Sequence, residues 1–548
     1  MTTPSICNRK LDSSQARYKG RAGDTNCYIV RIAVPLRVPP LTAMKQREAT
    51  HLQKPGPPRT AGDADASLAA SVALVDRLQR ALARRDRAPI VECLRQLIER
   101  RAPLGSQWQQ LALISAEHGE LTLSRQAMDL YVEASGEAPR ARYQQAGLMA
   151  QGGAMREAYA LLSALPEDAP DPAVNAYSRG AAALALGQLT EAREHLERAA
   201  RIRPALGQVW LPLATLVDFA AEPDMAERII AAGRVLEHAP QGVRAIHHYA
   251  LGKAFADLGD HARAFAAISE GARLKAEETP YDRAADPADA AEAVRGYDAA
   301  GIAEIAGRQQ ERTDRTIFVT GLPRSGSSLV QQILTGHSTV SDGGEINRLR
   351  LLAREVGGTS LPALRAHVGK HGAEPAARLW RHWLDERLPA PGRIVDKSMD
   401  SGRFLGLAAA LLPDAPIVWL RRDPLDCAWS CFRTHFLAGV PWSYDLTDIA
   451  FHFRLEDRLL SQWQQILGDR LLVVPLEALI ADSASWIGRI LAHCGLAVEP
   501  QVFAPHRNGL PVMTSSVAQV REPINGRGIG SGEPYRALLE PFIEAYRG

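Results

Sequence analysis

The run Ile317-Phe318-Val319-Thr320-Gly321-Leu322-Pro323-Arg324-Ser325-Gly326-Ser327-Ser328-Leu329 passes from β-branched residues through a glycine loop into a helix start. A strand, a tight loop and a helix in that order build a phosphate-binding loop. Gly321 and Gly326 keep the spacing of G-x-x-x-x-G-K-[ST], but Ser327 stands where that motif has its lysine. Backbone N–H groups and a helix N-terminus still favour an anion there. Arg324 adds positive charge from inside the loop. The pattern predicts a bound phosphate and speaks against ATP with magnesium.

Outward from this run, short β-branched segments alternate with helical ones: Thr316–Thr320, Ile394–Val395, Ile417–Leu420 and Leu471–Val474. The alternation predicts a three-layer α/β domain, with a parallel sheet and helices on both faces. The loop after Thr320 then lies at the carboxyl end of its strand, where such sheets bind ligands.

Residues 67–280 are rich in Ala, Leu and Arg and carry helical periodicity. Gly119, Gly153 and Gly187 are 34 residues apart, and Ser124, Ala158, Ala192 and Ala226 keep the same interval. That is the period of the tetratricopeptide repeat, a helix-turn-helix unit that stacks into a superhelix with a concave binding face. The clearest copy is Ala173–Leu206. In it Gly180, Ala192 and Ala199 let the helices approach, while Leu196, or Phe255 in a later copy, fills the gap. The spacing implies about five repeats, with 67–100 as a degenerate cap. A plain helical bundle is the alternative. The expected division is 1–66 poorly ordered, 67–280 repeats, 281–313 a helical linker and 314–548 the α/β domain. Met44 stands beside Met1 as a second candidate start.

At 548 residues the chain is long enough for two or more cores. Its 46% hydrophobic and 23% charged content is ordinary for a globular protein. A net charge of +2 gives no general pull toward nucleic acid or an anionic membrane. No apolar run approaches the roughly 18 residues of a membrane span. Cys7, Cys27, Cys93, Cys427, Cys431 and Cys494 form no C-x-x-C pair, so zinc and redox signatures are missing. Free thiols suit a reducing cytoplasm. Cys427 and Cys431, four apart on a predicted helix, read as buried thiols.

Pro323-Arg324-Ser325-Gly326-Ser327-Ser328 resembles the 5′-phosphosulfate loop of the sulfotransferases. Val418-Trp419-Leu420-Arg421-Arg422-Asp423-Pro424-Leu425-Asp426-Cys427-Ala428-Trp429-Ser430 resembles their 3′-phosphate motif, in which a serine follows a strand-ending arginine by eight residues. Over roughly 314–546 the chain is similar to the bacterial sulfotransferases fused to tetratricopeptide repeats. It is more distantly similar to the tyrosylprotein sulfotransferases.

The resemblance implies 3′-phosphoadenosine 5′-phosphosulfate as sulfuryl donor, with no metal. Arg324, Ser325, Gly326, Ser327 and Ser328 would cradle its 5′-phosphate, and Arg422 and Ser430 its 3′-phosphate. Glu345, in Gly343-Gly344-Glu345-Ile346, would take the proton of a hydroxyl acceptor. Lys397, in Val395-Asp396-Lys397-Ser398, would stabilise the leaving oxygen, with Asp396 orienting it. Ser516, in Thr514-Ser515-Ser516-Val517-Ala518-Gln519-Val520-Arg521-Glu522-Pro523-Ile524, matches a serine that helps bridge donor and transferred group. The repeats imply a peptide or protein acceptor, tyrosine among the candidates, and a homodimer is allowed. Glycan and small-molecule hydroxyls stay open.

Three positions depart from the family pattern. Leu476 replaces a tyrosine expected near the adenine. Ser531 and Gly532 stand where Arg and Trp are expected, with Arg527 offered as the substitute charge. Met399-Asp400 replaces the proline after the Asp-Lys pair. They keep open a second reading, a repeat scaffold with a sulfotransferase fold and no turnover. A third, a nucleotide kinase, is opposed by the missing lysine.

Overall fold

The computed structural model describes residues 61–399, 401–437, 439–509 and 521–548. Its first helix, Ala61–Arg84, begins inside the stretch expected to be poorly ordered and pairs with Arg87–Glu99. Four helix pairs follow: Trp108–Glu117 with Leu121–Ala134, Pro139–Gln151 with Met155–Ala164, Pro172–Leu186 with Leu189–Ile202, and Gln241–Asp257 with His261–Glu278; before the last of them, Trp210–Ala214 and Pro223–Leu236 each pack on Gln241–Asp257. This is a tetratricopeptide superhelix, and the plain-bundle alternative falls.

Gly119, Gly153, Gly187 and Gly259 turn the chain between paired helices with φ of +86°, +89°, +79° and +76°. That left-handed conformation costs a glycine little and other residues more. Inside the pairs, small residues set the spacing. A methyl on Gly180 would lie 2.7 Å from Leu196 Cγ, and one on Gly252 would lie 2.4 Å from Ile268 Cγ1. The second contact differs from expectation, because Ile268 rather than Phe255 fills that gap. Phe255 instead lies under the Arg263 guanidinium, 4.0 Å from its ring centroid, at the junction with the next domain.

The connecting stretch carries the helices Ala285–Val294 and Ala299–Ala306. Tyr297, Ile302 and Ile305 are buried with Phe318, Trp380 and Trp463 of the α/β domain, so the connection packs as part of that domain. Asp286 fixes it further, 2.6 Å from Arg403 Nη1 and 2.8 Å from His452 Nδ1.

β1 (Thr316–Gly321), β2 (Val340–Asp342), β3 (Arg393–Asp396), β4 (Ile417–Arg421) and β5 (Leu471–Pro475) form one sheet in the order β2-β3-β1-β4-β5. All neighbours are parallel. The strand period of two divides side chains between layers. Ile317 and Val319 join one core with Val330, Ile333 and Ile490, while Phe318 joins the other with Trp380 and Trp463. The central strand β1 runs between β3 and β4, so the loops that follow these strands and β2 gather at one sheet edge.

The repeats and the α/β domain share a packed junction. Tyr249, Phe255 and Ile268 are buried with Trp429, Phe432 and Trp442. Near the start of the array, Trp383 Nε1 donates to His118 O at 3.2 Å. Truncating a buried indole of this kind costs about 3–5 kcal/mol, so the junction is a strong one. Among the described residues no helix is long and apolar enough to cross a membrane.

Candidate active site

Backbone shape comes first in the loop after β1. Gly321, Arg324 and Gly326 take φ of +132°, +69° and +101°. Methyl groups on the two glycines would each lie 2.6 Å from a neighbour, Leu420 O and Leu476 Cδ1 respectively. The loop is thus pressed between β4 and the residue that follows β5. Cys431 and Cys427 place Sγ 3.3 and 3.5 Å from Pro323 O. These thiols are buried as expected, and they also brace the loop. Burial pushes the Cys431 thiol well up, which keeps it a donor. Gly326 leads into the helix Ser327–Thr335, whose N-terminus has no side-chain cap. Its first-turn N–H groups are therefore directed at whatever anion the loop holds.

The second motif closes on the first. Arg324 Nε donates to Ser430 Oγ at 3.0 Å, and Arg422 Nη1 donates to Arg324 O at 3.0 Å. Arg422 Nη2 also reaches Gly528 O and, at 3.3 Å, Ser531 Oγ. Alternation along β4 sends the preceding Arg421 elsewhere, into an ion pair with Asp457. Asp423 and Asp426 serve backbone donors: Asp423 accepts from Asp426 N at 3.0 Å, and Asp426 accepts from Gly530 N and Gly532 N at 2.7 and 2.8 Å. Ser430 is buried in the helix Pro424–Phe432, which carries it under the loop.

Arg433 ends that helix and was missed by the sequence reading, although it lies three residues past Ser430. Dehydration, then the Arg324 and Arg422 charges, push its guanidinium down to about 10. Ser325 Oγ and Arg422 Nε are buried with no hydrogen-bond partner among the described residues. Three guanidiniums around one loop, with two unpartnered polar atoms, fit a polyanion better than they fit a closed core.

Glu345 and Lys397 come together from different strands. Lys397 Nζ lies 2.9 Å from Glu345 Oε1, with side chains 6% and 13% exposed. Backbone bonds fix both ends: Gly343 N donates to Val395 O at 3.0 Å and Lys397 N to Gly344 O at 2.9 Å. Asp396 does not orient Lys397 as the sequence suggested. It accepts from Ser398 N at 3.0 Å and from Ser398 Oγ, while Ser398 Oγ takes the N–H of Asn347 at 2.7 Å. Its action is therefore on the loop that carries Glu345. Burial pushes the Asp396 carboxyl up to about 6.

Other expected residues are not brought here. Arg527 is largely exposed, at 77%, and pairs with Glu522 at 2.7 Å. Arg422 and Arg433 stand nearer the loop, and Ser531 Oγ accepts from Arg422 Nη2 at 3.3 Å and donates to Asp426 at 3.4 Å. Ser516 lies outside the described residues. Glu120, His382 and Glu386 bring ligand-type atoms within 4.8 Å of one another. Glu120 already pairs with Arg87 and His382, and Glu386 accepts from Thr122 N at 2.6 Å, so the cluster acts as a clasp between the domains.

The parallel sheet and the two motifs that meet at its edge define the second domain as a sulfotransferase fold. Residues 316–500 match the model of the Sulfotransferase family. An uncharacterized protein of Aquifex aeolicus (strain VF5) is 25% identical over 382 residues, 66% of this chain and 48% of its own length. The chain thus spans about half the length of that relative. Among solved structures, the sulfotransferase domain of the Synechococcus PCC 7002 olefin synthase is 19% identical over 44% of this chain and 96% of its own, with a TM-score of 0.33. MamA of Desulfovibrio magneticus RS-1 is 17% identical over 31% of this chain and 95% of its own, with a TM-score of 0.26.

Proposed function

We propose that the protein is a sulfotransferase that moves a sulfuryl group from 3′-phosphoadenosine 5′-phosphosulfate to a hydroxyl acceptor. The observation that carries this is the meeting of the two motifs: Arg324 bonded to Ser430, and Arg422 bonded to the Arg324 carbonyl. One loop would hold the 5′-phosphate on Ser325, Gly326, Ser327 and Ser328. Arg422, Ser430 and Arg433 would hold the 3′-phosphate.

In this reading Glu345 takes the acceptor proton as the hydroxyl oxygen bonds to sulfur. The sulfur–oxygen bond to the 5′-phosphate breaks, and Lys397 stabilises the charge arriving on that phosphate oxygen. Residues 67–280 recruit the acceptor, a peptide or protein with tyrosine as the leading candidate, and 314–548 carry the transfer. Four described cysteines are free thiols, which supports work in a reducing compartment such as the cytoplasm.

Titration calorimetry with 3′-phosphoadenosine 5′-phosphate tests the reading. Saturable binding supports it. A lack of binding favours the repeat scaffold without turnover, the reading to which the outward pairing of Arg527 lends weight.

A further inference from the structure

The stretch Gly526-Arg527-Gly528-Ile529-Gly530-Ser531-Gly532 has glycine at every second position. Glycine loses more backbone freedom on folding than any other residue, so such a run keeps one shape only where its surroundings hold it. From the α/β side, Asp426 and Arg422 hold it. Asp426 accepts from Gly530 N and Gly532 N at 2.7 and 2.8 Å. Arg422 Nη2 donates to Gly528 O and, at 3.3 Å, to Ser531 Oγ. These acceptors aim a guanidinium whose Nε is buried with no hydrogen-bond partner among the described residues.

Both ends of this strap, 521–535, are pinned to turns of the repeat array. At the front, Arg521 lies against the turn at Gly187. Its Nη2 donates to Ala185 O at 3.4 Å, and a methyl on Gly187 would run into its guanidinium. At the back, Tyr535 is buried, and its hydroxyl lies 3.1 Å from His261 Nδ1. His261 is the first residue of the helix that follows the Gly259 turn. The Tyr535 ring also stacks on Trp429, with centroids 3.8 Å apart. Phe265, from the same repeat helix as His261, stacks on Trp429 at 6.1 Å. Trp429 precedes Ser430, so the rear pin reaches the helix that carries the second motif.

We propose that Arg521 and Tyr535 are positioning residues for Arg422: two repeat turns hold the strap, the strap aims Arg422, and the repeat array thereby sets affinity for the donor's 3′-phosphate. The proposal rests on the function given above and adds donor selection to the repeats' part in it. With a pin removed, the glycine run regains freedom and Arg422 loses the two acceptors that orient Nη2. The bond from Arg422 to Arg324 O does not pass through the strap, so the 5′-phosphate loop keeps its support.

Full-length wild type is compared with Arg521→Ala, Arg521→Lys, Gly187→Ala, Tyr535→Phe and His261→Ala. Gly136→Ala is the control, at a turn with φ of +63° and nothing within 4 Å. Titration calorimetry reads Kd for 3′-phosphoadenosine 5′-phosphate and for 5′-AMP, and hydrogen exchange reads the amides of 522–532 without ligand. Loss of one hydrogen bond at a pin should weaken the bisphosphate about threefold or more in Arg521→Ala and Tyr535→Phe, change 5′-AMP less than about twofold, and speed exchange in the strap. Arg521→Lys restores part of the loss, Gly187→Ala reproduces it, and Gly136→Ala matches wild type. Tyr535→Phe and His261→Ala remove the same bond, so the double variant loses no more than either single one. Unchanged bisphosphate affinity in both Arg521→Ala and Tyr535→Phe overturns the proposal, as does an equal loss of both ligands. If Arg521→Ala does not fold, Tyr535→Phe, which keeps its ring on Trp429, decides. Failure of the donor reading shows separately, as a wild-type chain that does not bind 3′-phosphoadenosine 5′-phosphate, and the exchange rates then still decide whether the repeats pin the strap.

Discussion

Lys397 Nζ sits 2.9 Å from Glu345 Oε1, an ion pair formed across 52 residues by the ends of two neighbouring strands. The pair holds the proposed base and the proposed leaving-group cation side by side. Lys397→Ala is expected to lower kcat by about 10²–10³-fold through loss of leaving-oxygen stabilisation. Glu345→Gln is expected to lower it by about 10²–10⁴-fold through loss of the base. Both variants should still bind 3′-phosphoadenosine 5′-phosphate, which calorimetry would check. Full activity in Glu345→Gln would remove the base assignment.

Selection for the 3′-phosphate is assigned to Arg422 and Ser430. A hydrogen bond to a charged group contributes about 1.5–3 kcal/mol, or roughly ten- to a hundredfold in Kd. Ser430→Ala should weaken binding of 3′-phosphoadenosine 5′-phosphate by that factor while changing 5′-AMP affinity little. Arg422 also holds the Arg324 carbonyl, so Arg422→Ala should weaken both ligands, and the bisphosphate more.

Gly326 is required twice over. Its φ of +101° strains any side chain, and its methyl would lie 2.6 Å from Leu476 Cδ1. Gly326→Ala should cost about 1–3 kcal/mol in backbone strain and lose donor binding. Adding Leu476→Ala should recover the steric part and leave the backbone part, a difference that thermal melts of the single and double variants would reveal.

Asp286 makes stability depend on pH. Burial pushes its carboxyl up, but the His452 hydrogen bond and charge and the Arg403 guanidinium outweigh burial and hold it at about 2. A folded value below the unfolded one, about 3.9, adds stability above that pH and loses it as pH falls through the folded value. The contribution at neutral pH is about 2 kcal/mol. Denaturant melts of wild type and Asp286→Asn should therefore differ most at pH 6–7 and converge as pH drops from about 4 toward 2. A gap that stays constant over that range would contradict the assignment.

The two motifs were legible because each is a local run that encodes its own strand, turn and helix start. Four strands announced themselves through β-branched residues, whereas β2, with only Val340-Ser341-Asp342, carries no apolar run. The 34-residue spacing revealed the repeats, since each turn needs its glycine. Asp396 was assigned to the wrong neighbour because sequence shows adjacency to Lys397 and Ser398 equally, and only the side chain's direction decides. The junction was hidden for a related reason. His382, Glu386 and Arg387 belong to no motif, and their partners Glu120, Thr122 and Gly153 lie far away in the chain. Arg527 was placed by charge alone, and the nearer Glu522 claims it.

The most direct test of the central claim is the fate of sulfur-labelled 3′-phosphoadenosine 5′-phosphosulfate incubated with the full chain and an extract of the source organism. The predicted result is label covalently attached to a hydroxyl-bearing product, abolished in Lys397→Ala. Label that stays on the donor, from a chain that binds the donor well, would contradict it.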